Sequence, residues 1–269
     1  MTNRLEPIVT QKVREIAALK SQVLETPDHA IAHLMQGRQR RTSGKSFKQS
    51  LSGDTLAVIA EIKRRSPSKG VLAAIPDPQG LAKTYSAGGA NAISVLTDEQ
   101  FFGGSGSDLS AVATALSAIP TPILCKDFIL DPIQIAQAIA RGADAILGVV
   151  SILRSRTSNV LTQAAQMGID ILVEVHDERE LDLALAAGAE IIGVNNRDLK
   201  TFEIDAECAL RLVERIPKDK IRIAESGILS PQLARDYHQA GFDAVLIGEA
   251  LVTATDPADF IGACQNGMS

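Results

Sequence analysis

The sequence predicts a closed (β/α)8 barrel preceded by a helical extension, and three observations predict it. Eight short β-rich segments recur from residue 56 onward, at 56–62, 91–97, 121–126, 144–150, 170–175, 190–195, 220–225 and 243–247. Helical stretches separate them, among them 132–141, 177–187 and 231–240. Each strand is apolar until its C-terminal end, where polar residues appear. Strands that alternate with helices pair in parallel, and eight such units close into a barrel. An open doubly wound sheet is the alternative, but no Gly-x-Gly-x-x-Gly turn follows the first strand to recommend it.

The elements follow in order. Leu5, Ile8, Val9, Val13, Ile16 and Leu19 recur mostly at three- and four-residue steps, the stripe of an amphipathic helix. A second helix is expected from Asp28 to about Met35. His29 and His33 stand four apart within it, a possible metal pair, but with no further ligands in view they read as surface histidines. Arg38, Arg40, Arg41, Lys45 and Lys48 form a basic run that reads as a solvated connection, with weak steering of anions as the alternative. In the barrel, the helix-to-strand joints repeat: Gly88-Gly89, Gly142, Gly188 and Gly241 each follow a helix and precede a strand. Glycine there supplies the left-handed cap. Asp131-Pro132 and Ser230-Pro231 place a capping side chain before a proline at the first helical position.

Alternation of side chains decides where the charges point. Ile59, Glu61 and Lys63 share a face, as do Leu124 and Lys126, Leu172 and Glu174, Gly193 and Asn195, Ile223 and Glu225. Parity puts these inside the barrel, at the C-terminal rim where such barrels carry their chemistry. Buried charges cost stability unless they are paired or used. Carboxylates and lysines crowded at one mouth shift one another's pKa values as acid–base chemistry requires; rim ion pairs with a purely structural role are the competing reading. Ser66-Pro-Ser-Lys-Gly70, after strand 1, offers hydroxyls, backbone donors and a cation, which is anion-binding chemistry. Ser226-Gly227 and Gly248 follow strands 7 and 8, the usual phosphate cradle of the fold. Taken together, these stretches point to a phosphorylated substrate.

Composition bounds the rest. The net charge of −5 argues against nucleic acid as the main partner. No 18-residue apolar stretch exists, so no membrane span is expected. Charges throughout residues 1–26 break any signal-peptide core, so a cytoplasmic enzyme is expected. Cys125, Cys208 and Cys264 are scattered and odd in number, which indicates neither a disulfide framework nor a zinc site. Aromatics are only 3% and tryptophan is absent, so packing must rest on Ala, Leu, Ile and Val.

The chain resembles the indole-3-glycerol phosphate synthase family of tryptophan biosynthesis. The resemblance is carried by Glu61-Ile-Lys-Arg-Arg-Ser-Pro-Ser-Lys-Gly70, Ser94-Val-Leu-Thr-Asp98 with Phe101-Phe102-Gly103, and Lys126-Asp-Phe-Ile-Leu-Asp-Pro132. It continues in Glu174-Val-His176, Gly193-Val-Asn-Asn-Arg-Asp-Leu199, Ala224-Glu-Ser-Gly227 and Leu246-Ile-Gly-Glu249. It covers the barrel from about Leu56 to the end. It implies one domain over 1–269, with 1–50 as a helical extension packing over the barrel mouth. It also implies ring closure of 1-(2-carboxyphenylamino)-1-deoxyribulose 5-phosphate to indole-3-glycerol phosphate, CO2 and water, with no cofactor and no metal. By resemblance Lys126 is the general acid, Glu174 the partner acid or base of the dehydration, and Lys63 the holder of the substrate carboxylate. Glu61 and Asn195 position Lys63 and the sugar hydroxyls, with Glu225 beside them. Ser66, Ser226, Gly227 and Gly248 bind phosphate, and Phe101, Phe128 and Leu147 line the pocket for the anthranilate ring. A monomer is expected, with at most weak association with other enzymes of the pathway.

Three positions depart from the family pattern. Gly148 replaces a larger aliphatic residue, Gly106-Ser107 a bulkier charged pair, and Ile133 an aromatic. They bear on pocket shape more than on reaction type. Two rival functions fit the residues less well. Phosphoribosylanthranilate isomerase relies on a Cys and Asp pair, whereas the parity of Cys125 points it into the helix layer. A barrel that only binds or scaffolds has no need of the inward charges Glu61, Lys63, Lys126 and Glu174.

Overall fold

The computed structural model describes residues 5–26, 28–37, 45–199 and 201–266. Eight parallel strands close a barrel: β1 (Ala57–Ile62), β2 (Ala92–Leu96), β3 (Ile123–Lys126), β4 (Ala145–Val149), β5 (Asp170–Val175), β6 (Ile191–Asn195), β7 (Ile221–Glu225) and β8 (Ala244–Ile247). β1 shuts the ring, with Ile59 in register with Ala92 of β2 and Leu246 of β8. Fourteen helices stand among the described residues. α1 (Leu5–Glu25), α2 (Ala30–Met35) and α3 (Phe47–Ser50) precede the barrel. α4 (Pro78–Ala87), α5 (Glu99–Phe102), α6 (Gly106–Ala115) and α7 (Pro132–Ala140) serve its first half. α8 (Val150–Leu153), α9 (Thr157–Met167), α10 (Glu178–Ala186), α11 (Cys208–Val213), α12 (Pro231–Gln239), α13 (Glu249–Thr253) and α14 (Pro257–Gln265) complete it.

The expected punctuation is in place. Asp131 accepts from Ile133 N and forms a reciprocal box with Gln134, and Ser230 accepts from Leu233 N, each ahead of a proline that opens its helix. At the helix-to-strand joints Gly89, Gly142, Gly188 and Gly241 take φ of 94°, 92°, 82° and 106°, a region that a Cβ would strain.

Strand parity sorts the apolar residues into two buried clusters. Ile59, Leu124, Leu172, Ile223 and Leu246 face the barrel interior. Val58, Ile93, Cys125, Val173, Val194 and Val245 face the helices. Each such side chain withdrawn from water contributes about 1.5–3 kcal/mol.

The N-terminal segment divides between the two ends of the barrel. α1 buries Leu5, Ile8, Lys12, Ile16 and Leu19, an unbroken run of three- and four-residue steps. Val13, expected on that stripe, is 56% exposed; Lys12 takes the place at its centre. Leu5 and Ile8 join the interior cluster with Phe128 and Phe202, near the C-terminal ends of the strands. Lys12 pairs there with Asp98 and Asp127. α3, which the sequence did not announce, closes the opposite end. Its Phe47 and the following Leu51 pack with Ala57, Ala92, Ile191 and Ala244, where strands begin. Lys48 N donates to Asp170 at the start of β5 (3.0 Å), and Lys48 Nζ pairs with Glu190. Lys45 is also engaged, donating to the Leu116 carbonyl; Arg38, Arg40 and Arg41 lie outside the described residues. His29 caps α2 and His33 stands 3.5 Å from Asp28.

Candidate active site

The strand ends converge on one cleft. Glu61, Lys63, Lys126, Glu174 and Asn195 line it, together with Ser66, Ser226, Gly227 and Gly248. Glu225 lies just beneath, almost fully buried, and accepts from Lys126 Nζ at 2.7 Å. The same ammonium stands 3.8 Å from Glu61 and 3.9 Å from Glu174 Oε2. Lys63 Nζ pairs with Glu61 at 2.6 Å. Two glycines make the floor possible. A Cβ on Gly193 would overlap Glu225 Oε1, and one on Gly248 would overlap Glu61 Oε1 and crowd Lys63 Nζ.

Burial and charge oppose each other at every group. Burial works to lower the Lys126 pKa, but Glu225, Glu61 and Glu174 outweigh it and hold the ammonium firmly protonated. Burial pushes Glu61 upward, yet Lys63 and Lys126 bring it below its ordinary value. Glu174 is likewise depressed against burial, by His176 and then Lys126. Glu225 goes the other way: burial and the neighbouring carboxylates keep it raised despite its contact with Lys126. Three carboxylates around one ammonium cannot all be ionised at equal ease, and Glu225 is the one that holds a proton longest.

The anion end lies across the cleft. Ser226 and Gly227 adopt φ of 67° and 77°. That conformation costs a serine about 1–3 kcal/mol, and Asn196 offsets it by donating to the Ser226 carbonyl at 3.1 Å. Asn196 is itself locked by Tyr237 Oη and Ala209 N. Over the mouth, residues 65–66 and 70–71 pair as a short hairpin. Lys69 ties it to Glu249 at 2.5 Å, and Arg197 donates to Ser68 Oγ at 3.0 Å.

The apolar wall comprises Leu96, Phe102, Phe128, Leu147, Leu199 and Phe202. Phe102 and Phe128 stack with centroids 6.0 Å apart. Here the expectation needs correction: Phe102, not Phe101, lines the cleft. Phe101 packs beside it against the barrel-interior cluster but does not reach the cleft lining, because adjacent residues of a helix point about 100° apart. Arg197, Asn196 and Phe202 were not singled out from sequence. Arg197 and Asn196 stand beside Asn195 in a quoted motif, and only the fold of the β6 loop shows that Arg197 reaches the cleft while Asn196 turns away to brace the Ser226 turn from behind. The departures from the family pattern lie elsewhere. Gly148 faces Ile171 and Leu153, Arg141 fills the space a side chain on Gly106 would take, and Ile133 belongs to the helix-layer core. Cys125 also faces that layer, its thiol pushed up to about 12 by burial.

Residues 5–263 match the model of the family described as indole-3-glycerol phosphate synthase. The chain belongs to the indole-3-glycerol phosphate synthase family. A synthase of that name from Parafrankia sp. is 43% identical over 96% of this chain and 90% of its own length. The one from Mycolicibacterium vanbaalenii is 46% identical over 91% and 85%, and that from Mycobacteroides abscessus 51% identical over 75% and 74%. Solved structures share the synthase's fold at low identity. 3-Hexulose-6-phosphate synthase from Salmonella typhimurium superposes with a TM-score of 0.62 at 16% identity, covering 78% of this chain and 96% of its own. Thiamine phosphate pyrophosphorylase from Pyrococcus furiosus gives 0.60 at 16%, covering 78% and 93%. Among the described residues no helix is long and apolar enough to cross a membrane. Nor do three or more His, Cys, Asp or Glu converge there as a metal site.

Proposed function

We propose that this cleft performs the ring closure of its family, converting 1-(2-carboxyphenylamino)-1-deoxyribulose 5-phosphate to indole-3-glycerol phosphate, CO2 and water. The supporting observation is the single ammonium of Lys126, held among three buried carboxylates, across one cleft from the Ser226-Gly227 turn. The substrate is flexible, and two of its own carbons must meet. A phosphate anchor at one end and a carboxylate clamp at the other reduce that to an orientation problem. Ser66, Ser226, Gly227 and Gly248 take the phosphate. Lys63 takes the carboxylate, steadied by Glu61, and Phe102, Phe128 and Leu147 sandwich the anthranilate ring. Arg197, bonded to Ser68 of the hairpin, adds another cation to the cleft lining.

As the ring carbon attacks the ketone, negative charge builds on the ketone oxygen. Lys126 meets it with a proton. An ammonium with a raised pKa is still far more acidic than the alcohol being formed, so the transfer runs downhill. Loss of CO2 restores the benzene ring. Lys126, reprotonated from solvent, gives a second proton to the new hydroxyl, which leaves as water with the C–O electron pair, while Glu174 takes the proton from the adjacent ring carbon and its C–H pair forms the new double bond. Asn195 and Glu225 hold the two catalytic groups in place. The substrate's phosphate cannot cross a membrane unaided, which favours a cytoplasmic enzyme working where the substrate is made. Mixing the protein with the carboxyphenylamino ribulose phosphate should give rising indole fluorescence. No signal at high enzyme concentration would favour a barrel that only binds.

A further inference from the structure

His176 is the first residue beyond β5, and nothing in the reaction as derived so far uses it. Its side chain is 13% exposed and sits behind Glu174, outside the cleft lining. Both ring nitrogens face carboxylates. Nδ1 lies 3.0 Å from Glu180 Oε2, and Nε2 lies 3.3 Å from Glu174 Oε1. The ring is pinned from its own backbone too, because His176 N donates to the same Glu180 oxygen at 2.9 Å. Glu180 stands in the first turn of α10, where its N–H is capped by Asp177 at 2.8 Å. The thiol of Cys208 on α11 donates to the His176 carbonyl at 3.2 Å. The arrangement is a carboxylate–imidazole–carboxylate chain that runs from a helix terminus to the catalytic floor.

We propose that His176 is a positioning residue for Glu174: clamped by Glu180, its imidazolium fixes the Glu174 carboxylate as an anion with Oε2 turned toward Lys126. The proposal rests on reading Glu174 as the proton acceptor of the dehydration. Two features carry it. The first is geometric: one Glu174 oxygen faces His176 and the other faces Lys126, so the two cations share the carboxylate between them. The His176 contact is an ion pair without the alignment of a hydrogen bond, since both atoms lack a directional partner. The second is charge balance. Glu61, Glu174 and Glu225 are buried against only two ammoniums, Lys63 and Lys126. An imidazolium gives Glu174 a second cation, Glu180 balances it from the far side, and Glu225 is the carboxylate left to hold a proton; without His176 the burial of Glu174 would be opposed only by Lys126 and Asn195. The protonation of His176 fits this role. Burial lowers it, but the carboxylates of Glu174 and Glu180 outweigh burial and raise the pKa to about 10. The Cys208 thiol, kept neutral by burial, and the more distant Lys126 complete the titratable groups around the ring.

The test compares His176→Asn, Glu180→Gln and Glu174→Gln with the parent enzyme for kcat, KM and pH profile between pH 5.5 and 9. In His176→Asn the expected KM stays within about threefold. In the parent Glu174 is held at about 2, so kcat stays level toward pH 5.5; in His176→Asn an acidic limb rises into the measured range, so the rate at pH 6 falls about tenfold or more against that at pH 8 and recovers as pH rises. Glu180→Gln shifts the limb in the same direction by less. An acidic limb unchanged in His176→Asn, or a loss equal at every pH, would overturn the proposal. Glu174→Gln separates the two ideas: if it turns over normally, the reading of Glu174 is wrong, whereas if it is dead and His176→Asn is normal, only the positioning role fails. Should His176→Asn not fold, nitrogen NMR of the parent decides: imidazolium at pH 8 is expected, and a neutral ring there would refute the idea.

Discussion

Ser226 shows how much a single residue can decide. Its left-handed backbone turns the chain at the end of β7 and holds the Ser226-Gly227 amides in the cleft. A carboxylate there would repel the substrate phosphate without touching the ammonium that does the chemistry. Ser226→Asp should therefore raise KM about tenfold or more while kcat changes much less, read by steady-state fluorescence. An unchanged KM would move the phosphate site elsewhere. Residues of this kind were legible because strand parity is a hard constraint: a two-residue period leaves Glu61, Lys126, Glu174 and Glu225 no outward option. Phe101 and Phe102 were not separable in the same way. They sit on one helical turn whose rotation is set by the Asp98 cap, which accepts from both of their amides.

At the scale of elements, α1 is more than a cover. Lys12, buried at the centre of its stripe, pairs with Asp98 at 3.1 Å and Asp127 at 2.8 Å. Asp98 caps α5, which carries Phe102, and Asp127 follows Lys126 directly. One ammonium thus ties the first helix to two loops that shape the cleft. Lys12→Met leaves Asp98 buried without its cation and should cost about 3–5 kcal/mol in urea unfolding. A loss under about 1 kcal/mol would show that the pair is only tolerated. Sequence reading passed over Lys12 because a lysine inside an apolar stripe looks like solvent; only its partners, eighty-six and one hundred and fifteen residues away, explain it. The plug formed by α3 was hidden for a related reason. Four residues hold too little periodicity to declare a helix.

For the molecule as a whole, opposing titrations set the pH range of stability. Glu61 and Glu174 are depressed in the folded state, so the stability they add is present above about 4.5 and is lost as pH falls. His176 is raised from 6.5 to about 10, so its contribution is full below 6.5 and drains away as pH rises through 10. Glu225, raised from 4.5 to about 7, costs stability progressively as pH rises through that window, and the full cost persists above it. The thiol of Cys125 enters only above about 9. Thermal melts should therefore lose stability between pH 7 and 9, and His176→Asn should flatten that slope. A parent slope that is already flat would contradict the pairing. The barrel itself was legible from repetition alone, eight strands and four like joints, because closure follows from the count of β/α units.

All of this turns on one ammonium meeting the ketone oxygen at the barrel mouth. The most direct measurement is the turnover of Lys126→Met with the carboxyphenylamino ribulose phosphate, alongside binding of the product. Turnover is expected to fall at least about a thousandfold, with product binding retained through the phosphate turn. A folded variant that keeps a near-normal rate would contradict the account.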